Sequence, residues 1–452
     1  MAKEAEADQS DQISAEPTKA FFVDMLVRDI PLETAILDLV DNSVDGAKNS
    51  GRRDKFEGYS VTIELSTRRF RIIDNCGGFS REAARRYAFR FGRPLDAPRT
   101  PHSIGQFGVG MKRALFKVGR KFLVRSATSE ETWAVSVIVD DWEKQKGWHF
   151  PWADFGDSAT LSPKKPGTEI VIDKLKPEVA TRLGTERFTN EIVGLIKSKH
   201  RQFIAKGLAI AVNGRHVDAS DLNLLVVQDG TLEPGVDEIV FKEGGKAEVM
   251  VRIVVGIGAS LPKQAGWYVI CNGRVILEAD RTEISGWGLA EEAAGRVYMP
   301  SFHNQFARFR GIVSFDSEDS SRVPWNTTKN GVDQDSAVWQ ATFQKMIEMM
   351  RPVITFLNEL DADIDEHTRD ESPMLNYLKQ GQAERAESFT KKRSFRAPNR
   401  QTVAKKGPRT VKVQYSRPVR DVDFLKDALD VNSAAAVGER TFDLVLKRQR
   451  AK

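Results

Sequence analysis

The spacing of apolar and polar positions divides the chain into stretches of different period. From Leu32 to Ala47 (LETAILDLVDNSVDGA) apolar residues recur at helical spacing and predict a helix. YSVTIEL and FRIID alternate apolar with polar residues, as half-buried strands do. Residues 80–104 are rich in Arg, Pro and Ala and predict a helix followed by a loop. After the glycines at 105–110, KRALFKVG predicts a further helix. FLVRSAT, TWAVSVIVD and TEIVIDKL read as strands, and residues 186–205 as a closing helix. A second unit is expected to begin near Ile210 with AIAVNGRHV, a hairpin about Asn213-Gly214. VMVRIVVGIG, GWYVICNGRVIL and FRGIVSFD continue it as strands, and a helix ending near residue 360 completes it. TVKVQYS then reads as a strand, and VDFLKDALD and AAAVGERTFDLVLKRQ as helices.

Composition narrows the class. At about 150 residues per domain, 452 residues suggest about three folding units. The 68 Lys and Arg against 63 Asp and Glu leave a net charge of +5, with 29% charged and 40% hydrophobic residues. These fractions exclude collagen, mucin-like and wholly disordered chains. Cys76 and Cys271 are too few for a disulfide framework. The polar start lacks the basic-then-apolar pattern of a secretory leader, and no apolar run is long enough to span a membrane. The expectation is a cytoplasmic protein without membrane contact. Residues 1–18 are polar and acid-leaning, and are expected to form a disordered arm. Between Lys391 and Arg420 there are eleven Lys or Arg and no Asp or Glu. No H-E-x-x-H, zinc-type cysteine pair or G-x-S-x-G elbow occurs.

Three segments carry candidate chemistry. In the first helix Asp38, Asn42 and Asp45 stand at i, i+4 and i+7, on one face of an otherwise apolar helix. Asp and Asn are poor helix formers, so this stripe points to a polar cavity, although a solvated face would also use polar residues. In IIDNCGGF a strand ends at Asp74 and turns through Gly77-Gly78. A carboxylate there can accept from an exocyclic amine, and glycine admits a flat ring, though Asp, Asn and Gly also mark ordinary turns. In IGQFGVGMKRALF, Gly105, Gly108 and Gly110 lead into a helix start, where free N–H groups can hold phosphate. The spacing is neither a Walker A loop nor the Rossmann fingerprint.

In this order and spacing the three segments resemble the GHKL ATPases, the family of gyrase, the ninety-kilodalton heat-shock chaperone, histidine kinases and MutL. The family pattern E-x-x-x-N-x-x-D-A, D-x-G-x-G, G-x-x-G-x-G and a late-strand Thr appears as Asp38…Asn42…Asp45-Gly46-Ala47, Asp74…Gly78, Gly105…Gly108…Gly110 and Thr168. The resemblance covers roughly residues 20–205. It implies that Asn42 ligates Mg²⁺ at the phosphates of ATP and that Asp45 belongs to the same site. Asp74 accepts from the adenine amine, with Thr168 beside it. Gly105, Gln106, Phe107, Gly108, Val109, Gly110, Met111 and Lys112 cover the phosphates, and residues 80–104 form a lid. Any of Arg85, Arg86, Arg90, Arg93 and Arg99 is a candidate for a phosphate contact. Two positions depart from the pattern. Cys76 replaces a glycine, which is tolerable unless its φ must be positive. Asp38 replaces the water-activating Glu, and a displacement of ~1 Å in a catalytic group costs on the order of 10²-fold.

In VPWNTTKNGVD, Lys329 resembles the lysine that the β-rich transducer domains of gyrase, MutL and MORC-type proteins send to the γ-phosphate. The wording DLVDNSVDGA with GWYVICNGRVIL is most similar to prokaryotic MORC-like and MutL-like ATPases. The implied fold is α+β: a Bergerat-type ATP-binding α/β sandwich, a β-rich α/β transducer domain and a basic C-terminal extension. The expected divisions are an arm (1–18), an ATP-binding domain (19–208), a transducer-like domain (209–360), a basic linker (361–420) and a small helical segment (421–452). The implied function is a Mg²⁺-dependent ATPase acting as a nucleotide-gated homodimeric clamp, with catalytic Asp38 and Lys329. DNA is the expected target, because the basic stretch can neutralise phosphates. The same stretch fits an extended, self-repelling linker. The alternatives are a nucleotide-controlled binding module with negligible hydrolysis, and a chaperone-like ATPase acting on proteins.

Overall fold

In the computed structural model the described residues are 17–25, 27–50, 55–92, 94, 100–105, 108–156, 160–289, 299–367, 372–399 and 413–451. Most of the expected N-terminal arm (1–16), together with Arg93, Arg99, Gln106 and Phe107, lies outside them. The described residues fall into two compact units, one running to residue 359 with 378–399, the other comprising 360–377 and 413–451. The fold is mixed α+β with large sheets.

Helix α1 (Leu32–Asn49) buries Ile36, Leu37, Leu39, Val40 and Val44, and with them Asp38 and Asp41. Each such fully buried aliphatic side chain contributes ~1.5–3 kcal/mol, enough to hold two carboxylates in a dry helix if they are paired. The first sheet has eight strands: β1 (Ser60–Leu65), β2 (Phe70–Asp74), β3 (Gly119–Ala127), β4 (Thr132–Ile138), β5 (Trp152–Ala153), β6 (Gly167–Leu175), β7 (Ala209–Val212) and β8 (Arg215–His216). Their order is β5-β4-β3-β6-β2-β1-β7-β8. The segment after β2 opens with α2 (Arg81–Ala83), continued as a π-helical turn over Ala84–Ala88. Beyond the glycine loop, α3 (Gly110–Val118) packs on α1, β3 and β6. TWAVSVIVD is a strand only to Ile138, because Val139 and Trp142 turn inward on α4 (Val139–Lys144). After α5 (Pro177–Leu183), the predicted closing helix is two, α6 (Glu186–Lys199) and α7 (Arg201–Ala205), meeting at His200.

The hairpin AIAVNGRHV departs from the expectation that it opens a second unit. Strand β7 pairs in parallel with β1, Ser60 opposite Ala209 and Ile63 opposite Val212. Buried Ile210 and Val212 thereby prolong the apolar face of Val61 and Ile63. Asn213 fixes the register by accepting from Leu65 N at 2.7 Å and donating to Leu65 O at 3.2 Å.

The second sheet comprises β10 (Gly235–Phe241), β11 (Val249–Ile257), β12 (Gly266–Cys271), β13 (Arg274–Asp280) and β14 (Phe309–Asp316), in the order β10-β11-β14-β12-β13. Helix α8 (Ala337–Glu366) packs on this sheet through Trp339 against Phe315 and Met350 against Trp267. A separate pair, β9 (Asn223–Val226) with β15 (Gln382–Arg385), follows from residues well apart in the chain. Leu222, Leu224, Ala386 and Phe389 join Val254, Tyr268, Ile270 and Ile312 in one core.

That core corrects the reading of residues 361–420 as a linker. Short helix α9 (Pro373–Leu378) precedes β15. Further on, Arg393 bridges Val236 and Arg396 bridges Glu233 through the backbone, and Arg393 pairs with Glu233 at 3.0 Å. Part of the basic run is thus pinned by acids and by main-chain bonds along β10. Residues 368–371 and 400–412 lie outside the described residues. TVKVQYS is not strand over its described part, Val413–Ser416. The two tail helices form as predicted, α10 (Val419–Leu429) and α11 (Ala434–Arg450), the latter capped by Ser433 accepting from Ala436 N at 3.1 Å. Among the described residues no helix is long and apolar enough to cross a membrane.

Phe389, 3% exposed, tests the correction. Phe389→Ala is expected to lower unfolding stability by ~3–5 kcal/mol in urea titration. A change within about 0.5 kcal/mol, as for an exposed linker residue, would contradict this packing.

Candidate functional site

A cavity of about 670 Å³ opens between α1, the end of β2, the glycine loop and the start of α3. It is lined by Asp38, Asn42, Asp45, Asp74, Gly78, Gly105, Gly108, Val109, Gly110, Met111, Lys112, Thr168 and Lys329. Of the residues singled out in the sequence, Gln106 and Phe107, with Arg93 and Arg99, lie outside the described chain. Arg85 and Arg86 pair with Glu82 at 2.9 and 3.6 Å and do not line the cavity. His102 turns away from it to Asp316 at 3.0 Å.

Asp74 sits where β2 ends, opposite Thr168 in the register of β2 with β6. Its Oδ1 accepts from Cys76 N at 2.9 Å and Thr168 N at 3.2 Å, and its Oδ2 from Ser43 Oγ at 2.7 Å. Burial pushes its pKa above the ordinary value against these three donors. Cys76 is buried and does not have positive φ, so a side chain replaces the family glycine there without backbone strain. The turn lies so close to α1 that a Cβ on Gly46 would stand 2.9 Å from Cys76 O. Glycine is required there by contact rather than by φ.

Asp45 is committed to the glycine loop. Its oxygens accept from Ile104 N at 2.8 Å and Gly105 N at 2.7 Å, fixing where the glycine loop begins. Burial raises its pKa against Lys48 and these two N–H groups. At the other end of the loop a Cβ on Gly110 would stand 3.1 Å from Asp38 Oδ2, so glycine lets α3 begin against the carboxylate. Helix α3 has no side-chain cap, and its first N–H groups therefore remain available to an anion. Lys112 is 2% exposed, donates to Ala88 O at 2.8 Å and to Gly108 O, and is brought by burial down to about 7. Asn42 faces the cavity, and its carboxamide makes no hydrogen bond among the described residues. Among the described residues no cluster of three His, Cys, Asp or Glu could hold a metal ion. A Mg²⁺ would therefore take phosphate and water oxygens with the Asn42 oxygen, a donor set suited to this hard cation.

Asp38, Arg113 and Lys329 line the cavity and connect it to a buried cluster that includes Asp41, Arg274 and His200. Asp38 is paired with Arg113 at 3.3 Å and Lys329 at 3.4 Å. Asp41, fully buried, accepts from Lys329 Nζ at 2.8 Å, from Arg274 Nε at 2.8 Å on both oxygens, and from His200 Nε2 at 2.9 Å. Burial would raise the pKa of Asp41, but Arg274, Lys329 and His200 outweigh it and hold the carboxyl well below its usual range. Burial lowers the pKa of His200, so the ring donates as a neutral group through Nε2, while Nδ1 has no partner. Burial also opposes the charge on Lys329, yet Asp41 and Asp38 raise its pKa overall. Lys329 is presented by a tight loop closed by Trp325 against Val332, and takes the left-handed conformation at φ 53°. Such a non-glycine residue costs on the order of 1 kcal/mol or more and is held there by its surroundings.

Three cations (Arg113, Arg274, Lys329) thus meet two carboxylates (Asp38, Asp41) out of water. Among the described residues one positive charge of this cluster has no carboxylate to match it, which favours an anion in the adjoining cavity. Asp41 stands three residues after Asp38 on the same helix, a spacing that could have marked it. Arg274 and His200 gave no local signal.

Because its folded pKa is depressed, Asp41 contributes stability that is present above the unfolded value, near 3.8, and is lost as acid titrates through the folded one. Asp41→Asn is expected to be less stable than wild type at neutral pH and to lose less on acidification below about pH 5. Urea midpoints of both proteins across that range check this; parallel profiles would contradict it.

Residues 30–168 match the family model described as histidine kinase-, DNA gyrase B- and HSP90-like ATPase. No curated protein matches the chain. The matched segment supplies α1, the β2 turn, the glycine loop and Thr168, and so all of the cavity's motifs except the Lys329 loop. That match supports the GHKL ATPase family, whose members bind ATP, for this part of the chain.

Proposed function

We propose that the chain binds ATP with Mg²⁺ in this cavity, hydrolyses it, and uses the bound and free states to close and open a homodimeric clamp on DNA. The observation that carries the reading is the convergence on one cavity of Asp74, the uncapped start of α3, the unpaired amide of Asn42 and the buried ammonium of Lys329. Asp74 accepts from the exocyclic amine of adenine, with Thr168 beside it. The triphosphate lies along Gly105–Lys112, where helix-start N–H groups and Lys112 meet its charge. Asn42 holds Mg²⁺, which supplies charge neutralisation at the phosphate oxygens. Asp38 orients the attacking water, and Lys329 neutralises charge on the transferring phosphoryl group. The MORC-like and MutL-like character rests on the sequence wording and on the Lys329 loop. The DNA target rests on the basic stretch after Lys391, and dimerisation on the family resemblance.

A second reading is favoured by one observation: each oxygen of the short Asp38 carboxylate already faces a cation. A carboxylate with both oxygens so engaged is less free to orient a water, which suits a nucleotide-controlled binding module with negligible turnover.

Phosphate release with and without DNA, together with oligomeric state in a non-hydrolysable ATP analogue, tests both. Turnover above background and a dimer formed only with the analogue are expected. Asp38→Asn is expected to keep ATP affinity and lower turnover by on the order of 10²-fold. Asn42→Ala and Asp74→Asn are expected to weaken binding by about 10-fold or more. Measurable affinity without phosphate release selects the second reading, and absence of affinity overturns both. DNA binding that survives deletion of residues 400–452 at full strength would remove the tail from the target site.

A further inference from the structure

The turn Asn272-Gly273 between β12 and β13, with Arg274 at the start of β13, brings the second sheet into contact with α1. Asn272 and Gly273 both have positive φ, 47° and 87°, the tight hairpin geometry that aims Arg274 into α1. Asn272 O accepts from Lys48 Nζ at 3.1 Å, and its amide donates to Ser103 O at 3.0 Å. Arg274, 2% exposed, places Nε 2.8 Å from each oxygen of Asp41. On the far side of that carboxylate is Lys329, at 2.8 Å, which also reaches Asp38 at 3.4 Å.

We infer that Arg274 is the positioning residue that frees Lys329 for the γ-phosphate, by standing as the permanent counter-ion of Asp41. This rests on the ATP reading and adds to it what allows the lysine to move. A buried carboxylate deprived of its only cation is strongly unfavourable. With Arg274 on both its oxygens and His200 as a neutral donor, Asp41 remains compensated when Lys329 turns toward phosphate. Without Arg274 the ammonium is, among the described residues, the sole cation hydrogen-bonded to Asp41, and leaving would strip that carboxylate of its direct counter-ion. The balance of the wall changes as well. Wild type holds three cations against two carboxylates; Arg274→Ala equalises them and removes the excess that draws the terminal phosphate. Adding Asp41→Asn to Arg274→Ala restores one excess cation and unlocks the lysine.

The measurement is the affinity of the full chain for Mg²⁺ with a non-hydrolysable ATP analogue and, separately, with ADP, by calorimetry. Only the former has the γ-phosphate that Lys329 meets, so the ratio reads the lysine whether or not the protein turns over. Arg274→Ala is expected to weaken the analogue by on the order of 10-fold while ADP changes by less than about threefold. Asp41→Asn in the same chain is expected to bring the ratio back to within about threefold of wild type, and Arg274→Lys to keep it. If Arg274→Ala does not fold, Arg274→Gln retains a donor without the charge and carries the same expectation. Equal loss for both nucleotides, no loss for either, or a double variant no better than the single one overturns the inference. Wild type that binds neither nucleotide overturns the ATP reading itself.

Discussion

The arrangement depends on one buried carboxylate. Asp41 is fully buried on α1, and its burial is tolerable because cations from elsewhere in the chain reach it. One is Arg274 from the second sheet, one is Lys329 from the loop before α8, and His200 joins from the α6–α7 junction. Removing the carboxylate leaves two buried cations facing each other. Keeping it obliges the β-rich half of the unit to sit where its hairpin turn enters the first. An electrostatic need on one helix thereby fixes the position of a sheet formed far along the chain.

The same network explains why the cavity is polar on one side and lined by backbone on the other. Asp38 and Asn42 project from a helix whose remaining faces are buried, while Asp45 is spent on holding Ile104 N and Gly105 N. The glycine loop is therefore anchored at its root by a side chain. At its other end it comes close to Asp38, where Gly110 has no Cβ. The carboxylates of α1 divide their work: one shapes the loop, one binds the second sheet, and one faces the cavity.

The parts that were legible in the sequence are those written in contiguous residues. The helical period of 32–47 and the alternation in β1 and β2 carry their own signal and form as predicted, and the Asp74 turn and the glycines come to one cavity. The Asp41 network was not legible, because its partners stand 159 and 233 residues away and neither has a distinctive local pattern. Strand β15 was missed for a different reason: QAER is exposed throughout and lacks apolar alternation, so it is a strand only because β9 offers it an edge. The hairpin AIAVNGRHV joins the first sheet instead of opening a second unit, since its alternation fixes which face is buried but not which neighbour it meets.

Lys112 has a consequence of another kind. Burial leaves its ammonium titrating at about 7, so in neutral solution this wall of the cavity is protonated in only part of the molecules. An anion that draws the side chain to itself pulls the remainder into the charged form and takes hydrogen ions from the medium. The heat recorded on mixing would then vary with the ionisation enthalpy of the buffer, and the slope of that dependence would count the protons absorbed.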